Sequence, residues 1–321
     1  MNWNRTTIKL PDGHTQEAVT PLIVSASRRT DIPASYSQWF KKRFQEGYVS
    51  WKNPYNQKIS YVSFDKTRLF VFWSKYPAPF FSTLSFLEKH QQNFYFQFTL
   101  NNYEAEGLEP GLPSLMKRVE TFRKLSRLIG PEKVIWRFDP LLVTRELPLE
   151  KLMQRVEFLA EELSGYTCKL VFSFADISVY RKVERNLKNA HIDYQEFNPG
   201  LMQEAAGMLQ AIGEQYNLEL RSCCEAIDLS EYNILPNKCI DDDLIRKLFP
   251  NDSELMNFVG RKETLFTENN AGRYLKIKDK SQRPDCGCIA SKDIGEYDTC
   301  SLGCTYCYAN QIPGKTHPIG R

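Results

Sequence analysis

Along the first 280 residues, short apolar or β-branched runs alternate with stretches whose apolar residues recur every three or four positions. The runs lie at residues 22–25, 68–73, 94–100, 133–138, 169–174 and 218–221, and each predicts a strand. Between them, Leu149, Leu152, Val156, Leu159 and Leu163 fall on one face of a helix that starts after Pro148 and stops near Gly165. Leu115, Val119, Phe122 and Leu125 predict another, ended by Gly130 and Pro131. Tyr36, Phe40 and Phe44 mark a helix over 33–47, and Leu201, Ala205, Leu209, Ile212 and Tyr216 mark a further crossover. The predicted class is α/β, a parallel sheet with right-handed crossovers. Six units suit an open, partial (β/α)6-type barrel better than a closed eight-stranded one. A Rossmann-type sheet competes, but no strand is followed by G-x-G-x-x-G.

Polar residues follow the apolar runs directly. Ser25, Ser27, Arg28, Arg29 and Asp31 follow the first run, Ser74 and Lys75 the second, and Thr99 and Asn101 the third. Arg137 and Asp139, Ser173 and Asp176, and Cys224 and Glu225 follow the rest. In parallel α/β folds the carboxyl ends of the strands line the ligand crevice, so these groups are expected to converge on one mouth. Helix capping by Asp and Ser, with Arg paired to them, is the alternative reading.

From about residue 241 the pattern changes. Short helical pieces at 243–249 and 253–259 lead into Arg273, Lys276, Lys278, Lys280 and Arg283, then into a cysteine-rich stretch. Two parts are expected: a barrel over 1–240, and a segment over 241–321 packed on its mouth. Asp279 and Asp285 interrupt the basic run, which reads as a solvated face.

The balance of 42 Lys plus Arg against 39 Asp plus Glu gives a net charge of +3, too small to imply wholesale adhesion to nucleic acid or membranes. No run reaches the roughly 18 to 20 apolar residues of a membrane span, and no apolar signal core follows the first residues. A cytoplasmic, reducing location is therefore expected, where nine cysteines point to metal or redox chemistry rather than disulfides.

Cys300, Cys304 and Cys307 put three thiolates on one loop, able to hold three corners of a [4Fe-4S] cubane. The fourth corner then takes a distant ligand or stays open to an exogenous one. Cys224, Cys239, Cys286 and Cys288 would suffice for a second [4Fe-4S] cluster or a zinc ion. Adjacent strand residues face opposite ways, so only one of Cys223 and Cys224 is expected at that site. Cys168 reads as a buried small hydrophobe. Structural zinc, held by Cys286, Cys288, Cys304 and Cys307, is the alternative for the terminal cysteines. His14, His90, His191 and His317 show no paired spacing and are not read as ligands.

With Tyr306, the spacing C-x3-C-x-aromatic-C resembles the cluster motif of radical S-adenosylmethionine enzymes, and Tyr306-Cys307-Tyr308-Ala309 resembles the spore photoproduct lyase branch. Nearly the whole chain is similar to a bacterial domain-of-unknown-function family, number 1848. That likeness rests on Ser25-Ala26-Ser27-Arg28-Arg29-Thr30-Asp31-Ile32-Pro33, Trp136-Arg137-Phe138-Asp139-Pro140, Cys286-Gly287-Cys288 and Asp293-Ile294-Gly295-Glu296-Tyr297-Asp298-Thr299-Cys300. The resemblance implies a [4Fe-4S] cluster at Cys300, Cys304 and Cys307 whose unique iron chelates S-adenosylmethionine. An electron from a flavodoxin- or ferredoxin-type donor would cleave the sulfonium and give a 5'-deoxyadenosyl radical that acts on a small-molecule or nucleic-acid substrate. In most such enzymes the motif follows the first strand. Here it comes late, a permuted placement, and no G-G-E segment occurs. The likeness favours Cys224, paired with Glu225, as the ligand of the second site. Glu225 would receive the methionine amine, Tyr306 and Tyr308 would pack around the cluster, and Arg28, Arg29, Asp31, Arg137 and Asp139 would contact substrate or cofactor. Two other readings stay open: an iron–sulfur redox carrier or sensor whose fourth site a remote cysteine closes, and a zinc-stabilised nucleic-acid-binding protein with Arg28, Arg29, Lys75 and Arg137 on phosphate.

Overall fold

A computed structural model describes residues 3–54, 56–260, 277–310 and 316–320. Arg273 and Lys276 of the basic run lie outside the described residues. The chain begins with β1 (Arg5–Lys9), β2 (Thr15–Val19) and β3 (Ile23–Ala26), then α1 (Ile32–Ser35), α2 (Ser37–Glu46), β4 (Tyr48–Lys52) and β5 (Ile59–Ser63). Next come β6 (Leu69–Ser74), α3 (Phe81–Lys89), β7 (Asn93–Thr99), α4 (Leu115–Ile129), β8 (Val134–Leu141) and β9 (Val143–Thr144). They are followed by α5 (Leu149–Glu162), β10 (Lys169–Phe174), α6 (Arg181–Asn189), β11 (Tyr194–Gln195), α7 (Pro199–Tyr216), β12 (Glu219–Ser222) and β13 (Leu235–Pro236). Finally α8 (Asp242–Leu248), α9 (Ser253–Val259) and β14 (Lys292–Asp293) complete the described elements.

The main sheet has eight strands in the order β13-β12-β10-β8-β7-β6-β3-β14, and every neighbouring pair is parallel. Six of these are the predicted strands. The other two, β13 and β14, are two-residue additions at the two edges, too short to leave a periodic signal. From β3 to β13 the order in space follows the order in sequence, with no reversal. A separate four-stranded sheet, β1-β2-β5-β4, leaves no apolar run in the sequence, because its strands are short and largely solvent-facing.

The unbroken apolar runs have a structural cause: both faces of the main sheet are buried. Phe70 and Phe72 on β6, Phe94, Phe96 and Phe98 on β7, and Trp136 and Phe138 on β8 point toward the crossover helices. There they meet Phe40, Leu84, Phe122, Val156 and Leu209. The alternate residues Leu69, Val71, Tyr95, Ile135 and Val171 point the other way, against Ile240, Ile245, Leu255 and Ile289 of the later chain. Each fully buried side chain of this kind is worth about 1.5–3 kcal/mol.

The helix expected over 33–47 is interrupted. Tyr36 leaves helical geometry at φ −133°, and its hydroxyl donates to the Thr299 carbonyl at 2.7 Å, which ties the junction of α1 and α2 to the cysteine segment. Cys168 is exposed, not buried as expected. It lies just before β10, at the opposite end of that strand from the polar mouth. Among the described residues, no helix is long and apolar enough to cross a membrane.

Candidate metal centre

The polar residues after the strands are linked in one hydrogen-bonded row. Asp31 caps α1 through Ala34 N at 2.9 Å, and also accepts from Ser74 Oγ at 2.8 Å and Lys75 N at 2.6 Å. The Lys75 ammonium reaches Glu109 Oε1 and the Tyr306 hydroxyl, both at 2.8 Å. Asn101 Nδ2 donates to the same hydroxyl at 2.9 Å, while Asn101 Oδ1 accepts from Asp139 N at 2.9 Å. Asp139 pairs with Arg137 and with Ser173, and Phe174 N donates to Glu225 at 2.9 Å. Residues following β3, β6, β7, β8, β10 and β12 thus form one edge, as the carboxyl ends of parallel strands should.

The loop carrying Cys300, Cys304 and Cys307 lies over the β3, β6 and β7 part of this edge. Its docking is specific. Gly111 N donates to Leu302 O at 3.0 Å, and a β-carbon at Gly111 would come within 2.4 Å of that oxygen. Gly295, upstream, packs so closely that a β-carbon there would sit 1.9 Å from Ser27 Oγ. Gly303 turns the loop at φ +66°, a conformation glycine adopts without steric cost. Tyr306 fills the centre: its ring packs edge-on against Tyr103 at 5.8 Å, and its hydroxyl bonds to Glu109 as well as to Lys75 and Asn101. Glu109 also takes Arg118 at 3.1 Å, so two cations hold its carboxyl below the usual carboxylate value although burial opposes them. Burial pushes the Cys300 thiol up to about 11 and raises Cys304 well above its ordinary value, and Lys75 partly offsets this at Cys304. A thiolate ligand set here therefore needs a positive partner.

Five other cysteines form a second group. Cys223 Sγ lies 3.7 Å from Cys239 Sγ, Cys239 faces Cys288, Cys288 faces Cys286, and Cys286 faces Cys224. The sequence leads to Cys224 alone from the adjacent pair, but the structure brings both members into the group. They lie beyond the end of β12, and Cys224 has φ +66°, so the alternation of strand side chains no longer applies. Cys239 Sγ accepts from Arg137 Nη1 at 3.0 Å and Asn237 Nδ2 at 3.3 Å, while Cys288 Sγ accepts from the amides of Cys239 and Ile240 at 3.2 and 3.5 Å. No three of these sulfurs, nor the three of the loop, all lie within 4.8 Å of one another.

Arg28 lies between the two groups, and Arg29 sits beside Asp293, Tyr297 and Tyr308 near the loop. Arg28 stacks on Trp73 at 4.9 Å, its amide is held by Asp293, and its charge faces Cys288 and Cys239. Arg29 stacks on Tyr297 at 5.0 Å and pairs with Asp293 at 3.7 Å. Tyr308 donates to the Arg28 carbonyl at 2.9 Å. Glu225 belongs with the five-cysteine group: its neighbours are Asp176, Cys223 and Arg283, and burial pushes its carboxyl up to about 8. Glu109, Arg118 and Glu296 were not singled out in the sequence. Glu296 is 8% exposed, and its carboxylate makes no hydrogen bond or ion pair among the described residues. Tyr36 neighbours both Glu296 and Cys300. Only its place four residues before Cys300 could have drawn attention to it.

Residues 23–309 match the family model described as Domain of unknown function (DUF1848). The chain belongs to that family. The match spans the main sheet, both cysteine groups and the row of polar strand ends, so these features lie within one family domain. No curated protein and no solved structure matches the chain.

Proposed function

We propose that the protein is a radical S-adenosylmethionine-type enzyme built on a partial barrel, with Cys300, Cys304 and Cys307 holding a [4Fe-4S] cluster. The observation that carries this reading is a three-thiol loop laid over the carboxyl ends of β3, β6 and β7, with every remote cysteine except Cys168 engaged in a group of its own. That arrangement supports an open fourth corner. The three loop sulfurs do not all lie within 4.8 Å of one another, which favours a cubane over a single ion with Zn–S bonds of about 2.3 Å. Sequential strand order without a reversal supports the barrel reading over a doubly wound sheet.

When bound, the cluster would supply the electron that cleaves S-adenosylmethionine to a 5'-deoxyadenosyl radical. The chain's own residues supply position and charge. Lys75, held by Glu109, offsets the negative charge of a thiolate set at Cys304. Tyr306 locks the loop to the strand ends, and it and Cys304 are both buried there. Glu296, a little-exposed residue whose carboxylate is free of protein partners among the described residues, would take the ammonium group of the cofactor, and it lies on the loop's side of the edge, whereas Glu225 does not.

Anaerobic reconstitution with iron and sulfide, followed by dithionite and S-adenosylmethionine, is expected to yield 5'-deoxyadenosine. A fully loaded, reducible cluster that gives none of this product would refute the enzyme reading and leave a redox carrier or sensor.

A further inference from the structure

The five-cysteine group is separate from the loop and has no part in the function proposed above. It draws on three stretches of chain: Cys223 and Cys224 after β12, Cys239 before α8, and Cys286 and Cys288 before β14. Such an assembly has a cost. Cys239 and Cys288 are buried, and a thiol there makes only weak hydrogen bonds. The surroundings are nevertheless those of a thiolate. Two amides and an amide side chain donate to sulfur, and the Arg137 guanidinium lies 3.0 Å from Cys239 Sγ. Arg28 brings a second guanidinium against Cys288, and its Nη2 is buried with no hydrogen-bond partner. A buried, unpaired guanidinium nitrogen calls for an acceptor that the protein itself does not provide.

We propose that this group binds a second [4Fe-4S] cluster, held by Cys239, Cys286, Cys288 and one member of the Cys223–Cys224 pair. Four thiolates and a cubane carry net negative charge, which Arg28 and Arg137 offset, and the inorganic sulfides supply acceptors for Arg28 Nη2. A zinc ion would bring no acceptor beyond the thiolates, and it would draw four sulfurs to mutual distances of about 3.8 Å, given Zn–S bonds of about 2.3 Å. The five cysteines instead neighbour one another in a row, Cys223 to Cys239 to Cys288 to Cys286 to Cys224, and no three of their sulfurs lie mutually within 4.8 Å.

The test uses the full chain, reconstituted anaerobically with iron and sulfide and assayed for iron, sulfide and zinc, with electron paramagnetic resonance after reduction. The wild type is expected to hold about eight irons, and a Cys300→Ala, Cys304→Ala, Cys307→Ala triple variant about half of that, with a reducible cluster signal retained. In that triple background, Cys239→Ala, Cys286→Ala or Cys288→Ala each removes the remaining iron. Cys223→Ala and Cys224→Ala do so only together. Iron that vanishes in the triple variant alone, or one zinc per chain in wild-type protein purified without added metal, would overturn the proposal. Should the variants fail to fold, Mössbauer spectra of the wild type decide: two cluster environments support it and one refutes it. Because the triple variant lacks the loop ligands, its iron content is independent of S-adenosylmethionine cleavage.

Discussion

The two cysteine groups gather sulfur inside a parallel α/β domain in opposite ways. The loop group takes three cysteines from eight consecutive residues and keeps their sulfurs apart, with its charge partner, Lys75, supplied by a strand end. The five-cysteine group gathers its members from three distant stretches, with Cys223 and Cys239 in contact at 3.7 Å, Arg137 bonded to Cys239 and the charge of Arg28 facing Cys288. A single loop can be displaced without disturbing the sheet. The second group cannot, because its parts come from β12, from the segment before α8 and from the segment before β14.

The largest expected effect separates the two. Cys304→Ala should abolish 5'-deoxyadenosine formation, to below about a thousandth of wild type, while reduced-protein resonance spectra still show the other group's signal. Loss of both signals would mean the groups fold as one unit. Gly111→Ala comes next. Its new methyl meets the Leu302 carbonyl, a backbone atom that must move, at a stability cost of about 1–3 kcal/mol. Iron in the loop group should fall with it and iron in the five-cysteine group should not, as metal analysis of the variant would show.

Tyr306→Phe is milder. It removes the hydroxyl that joins Asn101, Lys75 and Glu109 but leaves the Lys75–Glu109 pair, so about 1–2 kcal/mol should be lost in denaturant unfolding. Product formation should drop about tenfold if the tyrosine positions the loop, and stay constant if it only fills space. The smallest effect falls between the groups, at Lys292. This side chain lies over the Trp51 ring at 3.3 Å, and burial pulls its ammonium down to about 8. The unfolded chain keeps the proton to a higher pH, so stability should rise as pH climbs from about 8 toward the ordinary lysine value. Lys292→Met should flatten that rise, on the order of 2 kcal/mol, and leave both iron signals unchanged.

The same contrast governs how much was legible in the sequence. The loop spacing and the six predicted strands are local patterns, readable because each is contiguous, and the central strands are also buried on both faces. Asp31 shows the limit of such reading: as a strand-end carboxylate it suggested chemistry, yet its oxygens hold Ala34, Ser74 and Lys75. Glu109 and Arg118 sit on no motif and acquire meaning only when the fold brings them to Tyr306. The strand rule that admits only one of Cys223 and Cys224 ceases to hold where the strand ends, so both join the group. Glu225 and Glu296 are both acidic neighbours of cysteines in sequence, and only the topology assigns one to each group.

The pairing of β14 with β3 joins residues more than 260 positions apart, Lys292 beside Val24 and Asp293 beside Ser25. Contacts of such separation are the slowest to form, since nearly the whole chain must be closed into a loop to make them. During synthesis β3 is therefore left with one free edge, an aggregation hazard that persists until the ribosome has delivered the segment carrying the thiols. The sheet therefore completes its β3 edge only after the last part of the chain is made.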